Sequence, residues 1–519
     1  MNAQTLRIPG AEASRAQPAS ARHALIVGAG LGGLSAAVHL RRRGFRVTLL
    51  EANQRVGGRA NRIEREGFHF DTGPSLLNYP WVFRELFEAA GKNMDEEIRL
   101  LPVDPSVAFQ WRSGRKLTLS SDFTLLLREL ERFEPAAGPA LTAWLRDSAE
   151  KFRISFEKLV TRNAEGLIDW FKPLTFRELL RTGVWRSMDR EFRRFFKSRH
   201  IREAFGAYGM YLGGSPFDLP GIFTILAYGE IAHGLWLPEG GVYGMVRAIE
   251  RAVVDMGVVI RTSTRVNQIV IQDGRATGVD LADGSRIFAD VVVSNVDVPT
   301  TDSRLLGDEN LRAAGTRKAA RTPMTPGVLT FYWGVRGEIP NLGHHTIFLP
   351  DDYKRSFRQL TKHGRIPSDL PFYVSVPSRT DPSLAPVGDT QVFVLVPTPT
   401  LDRLVSVDWS TEVPRLKREV LNRLSQHGVS LHPERIAIEE AWTPVEWRSR
   451  FGLFNGSAFG ASHNLMQVGP FRAPNRSRDV AGLYYTGAGT TPGTGMPMVI
   501  LSGKMTAERI EADVLQNAR

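Results

Sequence analysis

The amino-acid sequence predicts an α/β fold made of two interleaved domains, and two observations lead to this prediction. Near the start of the chain, residues 24–51 have the order strand, glycine turn, helix, strand and acid, which is typical of a dinucleotide-binding unit. Near the end, residues 483–510 again have the order strand, glycine-rich loop and helix. Together they predict a Rossmann-like nucleotide-binding domain that is assembled from distant segments and interleaved with an α+β substrate domain.

The composition limits the possible partners. With 519 residues and 42% hydrophobic content, the chain can bury a large core in two to four domains or in two interleaved ones. The absence of cysteine excludes disulfides, thiolate metal sites and redox thiols. A net charge of +11 favours anionic partners such as nucleic acid, acidic lipid or a phosphate-bearing cofactor.

Neither a signal peptide nor a membrane span is expected from the sequence. Residues 1–22 are small and polar and contain no apolar region, so we predict a disordered tail there. The longest apolar stretch, ALIVGAGLGGLSAAVHL, is too short and too rich in glycine for a span, which needs about 20 apolar residues.

The first nucleotide-binding pattern has a distinct task for each part. Its strand, G-x-G-x-x-G turn, helix and second strand are predicted at residues 24–27, 28–33, 34–43 and 45–50. Gly28 permits the tight turn, Gly30 lets the backbone approach a pyrophosphate, and Gly33 lets the helix pack against the strand. Glu51 ends the second strand, where its carboxylate can accept hydrogen bonds from ribose hydroxyls and disfavours a 2′-phosphate.

This pattern alone leaves NAD and FAD open, and the residues after it point to FAD. The sequence E-x₅-GGR, which includes Gly58 and Arg59, resembles FAD proteins of the glutathione-reductase type, in the branch of the amine oxidases and carotenoid desaturases. The resemblance implies FAD as cofactor and places Arg59 near its phosphates and its flavin. The alternative for Arg59 is a solvated surface arginine.

The middle of the chain predicts a β-meander. Residues 258–297 contain β-rich runs joined by Asp-Gly turns at 273–274 and 283–284, and they end in an apolar strand at 290–294. The same resemblance implies that Val266 contacts the adenine side of the cofactor. The alternative is that Val266 is a residue of the strand core.

The stretch GAGTTPGTGMP at residues 487–497 predicts the second cofactor contact. It lacks charge, and an apolar helix is predicted to follow it from residue 498. Such a loop, with Gly487, Gly495 and Met496, would lie against the flavin, while the helix N-terminus aims N–H groups at the ring edge. The alternative is a glycine-rich turn without a ligand. Because the stretch reads G-x-G-x-x-x-G and no acid-ended strand follows, a separate NAD(P)H domain is not predicted.

These segments divide the chain. The FAD-binding domain would comprise residues 23–100, 231–299 and 470–519. The substrate-binding domain would comprise residues 101–230 and 300–469.

Further motifs sharpen the resemblance. The stretches GLWLPEGGVYGMVRAIE at 234, LGHHTIFLPDDY at 342 and NGSAFGASHNLMQVGPFRAPN at 455 resemble bacterial phytoene desaturases, over nearly the whole chain from about residue 23. The resemblance implies FAD-dependent desaturation of a lipophilic C40 polyene in carotenoid biosynthesis, with a hydride passing from an allylic CH₂ to flavin and a proton leaving the adjacent carbon. A quinone or oxygen would then accept the electrons.

Two alternatives stay open at this point. One is a later-pathway carotenoid desaturase, isomerase or oxygenase of the same fold. The other is a non-catalytic protein like the escort proteins for prenylated GTPases, some of which have lost flavin. The intact glycine turn, Glu51 and the GGR sequence argue against the second alternative.

The catalytic base is harder to place. Residues 176–181, FRELLR, resemble a stretch proposed to lie near the site in part of the desaturase family, which implies Glu178 and Arg181 as catalytic residues. The alternative is an i,i+3 salt bridge on a solvated helix. His344 and His345 lie in a family motif, but no metal-ligand spacing accompanies them, so we predict structural histidines and no metal.

Residues 170–205 predict a helical membrane-associated region. They hold ten Lys or Arg, four acids and interleaved aromatics, and Met188, Phe192, Phe195 and Phe196 would share one helical face. This pattern predicts an interfacial segment attracted to anionic lipid, and hence a cytoplasmic, peripherally membrane-associated protein. The alternative is a surface helix whose aromatics enter the core. Nucleic acid is not expected as a partner, because no nucleic-acid motif accompanies the basic residues.

Overall fold

A computed structural model describes residues 21–404 and 407–516 of the chain. The tail predicted for residues 1–22 lies outside these residues, apart from its last two. The described residues form an α/β fold around a five-stranded sheet and a seven-stranded sheet. The domain boundaries that we drew from the sequence stay predictions.

The five-stranded sheet is parallel and takes its strands from three distant parts of the chain. Its strands, in the order β19-β13-β1-β2-β9, are β19 (Leu483–Tyr485), β13 (Val291–Ser294), β1 (His23–Val27), β2 (Arg46–Leu50) and β9 (Val259–Arg261). Strands β1 and β13 are buried along their whole length, as expected of parallel strands that are covered on both faces. The N-terminal and C-terminal patterns therefore meet in one sheet.

Two helices follow the two glycine-rich turns and pack together. They are α1 (Leu31–Arg42) and α17 (Met496–Gln516), and the Ser35 hydroxyl of α1 donates to the Ile500 carbonyl of α17 at 2.7 Å. Four predicted strands of this sheet form within one residue of their predicted bounds. Both helices begin two or three residues earlier than predicted, because the ends of the glycine turns already form their first turns.

The predicted β-meander also forms. Its antiparallel strands are β10 (Val266–Gln272), β11 (Arg275–Leu281) and β12 (Arg286–Phe288). It leads directly into β13 of the parallel sheet.

The seven-stranded sheet has apolar residues on both faces. In spatial order its strands are β18 (Ile436–Trp442), β14 (Gly327–Val335), β17 (Thr390–Thr398), β16 (Phe372–Ser375), β15 (His345–Leu349), β6 (Val107–Trp111) and β7 (Lys116–Leu119). On one face, Phe331 and Trp333 pack with the buried side of helix α15 (Trp409–Gln426). On the other face, Tyr332, Tyr373 and Phe393 join the core beneath the helices of residues 123–233.

The remaining described elements connect these layers. Two short antiparallel ribbons pair β3 (Arg62–Arg65) with β4 (Phe68–Asp71) and β5 (Leu100–Pro102) with β8 (Trp236–Pro238). The other α-helices are α2 (Pro80–Ala89), α3 (Met94–Glu97), α4 (Phe123–Glu131), α5 (Ala137–Ser155), α6 (Gly166–Phe171), α7 (Phe176–Thr182), α8 (Met188–Phe192), α9 (Arg199–Gly206), α10 (Ile225–His233), α11 (Gly241–Asp255), α12 (Val298–Thr300), α13 (Glu309–Arg321), α14 (Tyr353–Thr361) and α16 (Pro444–Phe451).

The apolar face predicted for residues 170–205 is wrong. The region is broken into short helices, and Met188, Phe192 and Phe196 are fully buried. Phe192 and Phe196 pack around Trp144 and Phe205 at ring-centroid distances of 5.3–6.2 Å, so these aromatics enter the core. Phe171, Phe176 and Trp185 of the same region are exposed. In the described part of the chain, no helix has the length and apolar content needed to cross a membrane.

Candidate active site

One cavity of about 690 Å³ joins the N-terminal glycine turn to the start of the last helix. At one end it is lined by Gly28, Glu51 and Arg59, and in the middle by Gly487 and Gly495. Apolar residues of the seven-stranded sheet and of helices α10 and α14 line the other end, and they include Leu226, Ile347, Phe357, Leu360, Phe393 and Leu395. The cavity therefore has a charged half beside the parallel sheet and an apolar half beneath the other sheet.

The N-terminal turn has the packing that its glycines predict. Gly28 and Gly30 line the cavity. Gly33 faces inward instead, since a Cβ there would lie 2.2 Å from the Gly28 carbonyl oxygen. Helix α1 begins after Gly30 with no side-chain cap and no acid in its first turn, which leaves its first N–H groups and partial positive charge for an anion.

Glu51 lies buried at the end of β2. Its Oε2 accepts from the Ala29 N–H at 2.9 Å, and its Oε1 accepts from the backbone N–H of Asn53 at 2.8 Å. The carboxylate therefore fixes the glycine turn while lining the cavity. Val266 lines the same part of the cavity, two residues after Thr264, whose N–H donates to the Glu51 carbonyl at 2.7 Å.

Gly58 and Arg59 bring the chain from the other side. A Cβ on Gly58 would lie 3.1 Å from the Gly30 Cα, so the two glycine backbones are in close contact. The partly exposed Arg59 guanidinium donates to the Ala458 carbonyl at 2.8 Å and lies 4.0 Å from the Asp297 carboxylate. Its placement in the cavity favours the predicted contact over a free surface arginine.

The C-terminal loop closes the middle of the cavity. Gly487, Gly495 and Met496 all line it. Gly495 has a φ of +103°, and a Cβ there would meet no atom within 4 Å, so its backbone faces open space at the start of α17. A flat ring could approach this backbone without meeting a side chain.

Two residues that we did not predict organise both loops. The Asn295 side-chain amide donates to the Gly28 carbonyl at 3.1 Å, and its Oδ1 would lie only 2.6 Å from a Cβ at Gly487. The buried Arg472 guanidinium donates to the carbonyls of Ala488 and Thr490 at 2.5 and 2.9 Å. Burial lowers the pKa of Arg472 to about 10, so it stays a cation. A polar residue directly after the apolar strand at 290–294 was the available signal for Asn295.

Comparison with known proteins identifies the family. The family model described as flavin containing amine oxidoreductase matches residues 31–511. The chain belongs to this family. It is 36% identical to a zeta-carotene-forming phytoene desaturase from Myxococcus xanthus over 94% of each chain. It is 35% identical to a 4,4′-diapolycopene oxygenase from Methylomonas sp over 94% of this chain and 98% of the relative.

These relatives confirm the predicted family. A solved structure of an oxidoreductase from Methanosarcina mazei has the same fold, with a TM-score of 0.59 at 17% identity over 94% of this chain and all of that chain. The residues of the cavity fit FAD, since a free helix N-terminus, a strand-end carboxylate and an open glycine backbone line one cleft. This flavin-containing amine oxidoreductase is an FAD-dependent enzyme, as predicted.

The structure places the predicted catalytic pair of the oxidoreductase away from this cavity. Glu178 caps helix α7 through a capping box with Thr175 and bonds the Lys158 ammonium at 2.7 Å. The Lys158 and Thr175 hydrogen bonds lower the pKa of Glu178 to about 2, which makes it a weak base. Arg181 pairs with Glu150 at 2.8 Å. Neither side chain lines the cavity, and this placement favours a salt-bridge role.

The two predicted structural histidines are buried beside the apolar half of the cavity. His345 Nδ1 lies 2.5 Å from the Tyr373 hydroxyl, and His344 Nδ1 lies 2.6 Å from the Thr380 hydroxyl. Burial lowers the pKa of both imidazoles well below 6.5, so both are neutral. Among the described residues, no group of three or more His, Asp or Glu side chains could hold a metal ion.

A second buried polar group that we did not predict lies behind the apolar half. Glu230 accepts from the Tyr208 hydroxyl at 2.6 Å, and burial raises the pKa of Glu230 to about 7. Tyr211 and Tyr373 line the cavity itself. The apolar chamber therefore has phenol groups in its wall and an acid behind them that is partly protonated near neutral pH.

Proposed function

We propose that this enzyme desaturates a C40 carotenoid precursor such as phytoene, in carotenoid biosynthesis. The observation that carries the proposal is the apolar half of the cavity, whose lining from residues 347–397 and from 210–226 contains no charged side chain. An uncharged hydrocarbon can enter such a chamber without desolvating a charge. The relatives named as phytoene and zeta-carotene desaturases, at 32–36% identity, support the same substrate class.

The cofactor contacts are also a proposal. The residues that would hold FAD line the charged half and the middle of the cavity or support its turn, and they are Gly28, Gly30, Gly33, Glu51, Gly58, Arg59, Val266, Gly487, Gly495 and Met496. When bound, FAD supplies the hydride acceptor for the desaturation. The chain positions the allylic carbon against the open backbone at Gly495 and keeps water from the apolar chamber. Electrons would leave to a quinone or to oxygen.

We further propose that the enzyme associates peripherally with a membrane, because a long hydrocarbon substrate resides in the bilayer. The surface that supports this is exposed and apolar. Ile168 on α6 is 88% exposed and Phe176 on α7 is 74% exposed. Met466 is 65% exposed, and its segment adjoins α6 because Gly469 packs against the Trp170 ring. Apolar side chains of this kind gain free energy by entering the acyl boundary.

The experiment that tests the desaturation is incubation of the FAD-loaded enzyme with phytoene in liposomes, either under air or without oxygen in the presence of a quinone. We expect products with a longer conjugated system, separated by chromatography and identified by absorbance. Protein without FAD is the control. If folded, FAD-loaded protein leaves phytoene unchanged under both conditions, the proposal is contradicted.

A second candidate function is the modification of an already conjugated carotenoid. The near-equal identity to a 4,4′-diapolycopene oxygenase favours it, as do the Tyr211 and Tyr373 side chains in the cavity wall, because their phenols can bond an oxygen on a polyene. Conversion of conjugated carotenes but not of phytoene in the same assay would select this candidate.

The membrane proposal is tested by vesicle co-sedimentation. Ile168→Ser combined with Phe176→Ser removes two exposed apolar side chains, and full insertion of such side chains stabilises by about 1.5–3 kcal/mol each. We expect a partition coefficient that falls by about 100-fold. Phe288→Ser with Val387→Ser is the matched control, since both residues are exposed elsewhere. Equal partition of the two double variants would argue against the assigned surface.

A further inference from the structure

We propose that a groove on the outer side of helix α14 binds the anionic phosphate headgroup of a phospholipid beside the substrate cavity. This inference rests on the proposed function, since it assigns the side from which a membrane-borne polyene approaches. The groove has a volume of about 510 Å³ and shares one lining residue, Phe357, with the cavity of the candidate active site. Its lining comes from α14, from the segments 184–190 and 215–220, and from Leu465.

Helix α14 lies between the cavity and the groove. Phe357 and Leu360 line the cavity. Lys354, Arg358 and Lys362 line the groove, and their spacing of four residues places them on one side of the helix. A single helix thus presents an apolar side to the substrate chamber and a cationic side to the surface.

The cations of the groove are mostly unpaired. Arg186 pairs with Glu191 at 3.4 Å, but within the described residues no carboxylate forms an ion pair with Arg190, Lys354, Arg358 or Lys362. The Lys354 ammonium lies over the phenyl ring of Phe217, 5.7 Å from the ring centroid.

The two acids of the groove offset these charges only in part. It contains Asp189, which already pairs with Arg193 at 2.8 Å, and Asp218. Residues 353–365 hold five Lys or Arg and no acid. Several unpaired cations around one concavity are a fit for a phosphate group.

Apolar side chains in the same groove point to a lipid as the source of that phosphate. Trp185 and Leu465 both line it, and each side chain is nearly half exposed. A tryptophan beside cations is typical of the headgroup level of a bilayer. Leu465 is next to Met466 in the apolar surface proposed above for membrane association, so the groove and that surface are continuous.

The experiment measures partition of the FAD-loaded protein into phosphatidylcholine vesicles with and without phosphatidylglycerol. Each Lys or Arg near an anionic surface contributes about 1 kcal/mol, so Lys354→Gln with Arg358→Gln should weaken partition into the anionic vesicles by about 30-fold. Arg317→Gln with Arg321→Gln is the matched control, because these exposed residues have the same i,i+4 spacing on α13 and no ion pair among the described residues. Flavin content and circular dichroism check that both double variants are folded.

The named outcomes separate the possible ligands. A loss confined to the α14 variant and to anionic vesicles supports the inference. Equal losses in the two double variants, or no loss in the α14 variant, would overturn it. Calorimetric titration with inorganic phosphate and with a short RNA provides two further arms: binding of either that is stronger than vesicle binding and lost in the α14 variant would overturn the lipid assignment.

The proposed desaturase function is tested apart from this site, by conversion of phytoene in detergent micelles with the unchanged protein. Failure there would remove the proposed function while leaving the vesicle result standing. Conversion in micelles together with an unchanged vesicle partition of the α14 variant would remove only the headgroup site.

Discussion

Substitution of Arg472 by methionine should weaken FAD binding, because Arg472 holds the C-terminal glycine loop from behind. Its Nε donates to the Thr490 carbonyl at 2.9 Å, and its Nη2 donates to the Ala488 carbonyl at 2.5 Å. Its Nη1 donates to the Gln467 carbonyl at 3.1 Å and to the Ser462 carbonyl at 3.3 Å. The loop at 487–495 therefore has two of its carbonyls fixed by one buried side chain.

The magnitude follows from the carbonyls that the substitution leaves without a donor. A buried acceptor that loses its partner costs about 1–3 kcal/mol, so the two carbonyls in the loop, those of Ala488 and Thr490, give roughly 2–6 kcal/mol. Removing a buried cation also recovers part of its desolvation cost, which brings our expectation to the lower half of this range, about 3 kcal/mol. If this loss falls on the loop that contacts the cofactor, FAD binds about 100-fold more weakly.

The assay is a fluorescence titration of the flavin-free protein with FAD, combined with hydrogen exchange of the amides in residues 487–495. Arg423→Met is the matched control, because Arg423 is equally buried and donates to the Leu349 carbonyl at 2.7 Å, away from the cavity. The control should lower stability and leave the dissociation constant for FAD unchanged. The reasoning is refuted if Arg472→Met, shown to be folded, binds FAD within threefold of the unchanged protein.

Three further predictions address other parts of the structure. Gly33→Ala should abolish stable FAD binding, since its Cβ would lie 2.2 Å from the Gly28 carbonyl oxygen. The control is Gly44→Ala, where φ is +84° and a Cβ would meet open space, and it should lower the free energy of unfolding by only about 1 kcal/mol. Equal flavin content in the two variants would contradict this prediction. Burial raises the pKa of Glu230 to about 7, so the folded protein keeps a proton that the unfolded chain releases above pH 4.5. The free energy of unfolding of the unchanged protein, relative to that of Glu230→Gln, should therefore fall by about 3 kcal/mol between pH 4.5 and 7. The same difference between the two proteins in urea unfolding at pH 5 and at pH 8 would contradict this prediction. Glu178→Gln should leave the rate of product formation within threefold, and a larger fall would restore a catalytic role for this residue.

The cofactor side of the molecule could be predicted from sequence because its determinants are local. Gly28, Gly30 and Gly33 lie within six residues and directly follow a buried strand, and Glu51 ends the next strand. Gly33 packs against the Gly28 carbonyl and Glu51 accepts from Ala29, and these contacts lie within one strand–helix–strand unit. Spacing alone therefore carries the information for this unit. The helix starts were off by two or three residues because a glycine turn and the first turn of a helix share residues.

The side chains proposed to face the membrane could not be predicted from residues 170–205 in the same way. Helical spacing in residues 170–205 correctly groups Met188, Phe192 and Phe196 on one side, but spacing does not say what that side contacts. The partner is Trp144, which lies on α5 and approaches only in the folded chain. Buried aromatics and membrane-facing aromatics have the same helical periodicity, so the sequence pattern cannot distinguish them.

Asn295 and Arg472 were missed for a related reason. Asn295 follows β13 and contacts the turn at Gly28, which follows the neighbouring strand β1 but lies 267 residues earlier in the chain. Arg472 precedes its loop by only some fifteen residues, yet its role depends on burial, since an exposed arginine at the same position would hold no carbonyl. Contacts of both kinds are set by the assembled fold and not by any local pattern.

The placement of Arg472 also bears on how the loop can lack charge. The lining residues from Gly487 to Gly495 carry none, so an apolar substrate meets no ion there. The guanidinium lies one layer behind, pointed at the loop carbonyls, and the start of α17 adds its partial positive charge from the other side. Positive potential in a buried site acts over a longer range than in water. If FAD binds as proposed, this arrangement would stabilise the negative charge of the reduced flavin without placing a cation where the hydrocarbon binds. One cavity could then hold both a charged cofactor and a hydrocarbon.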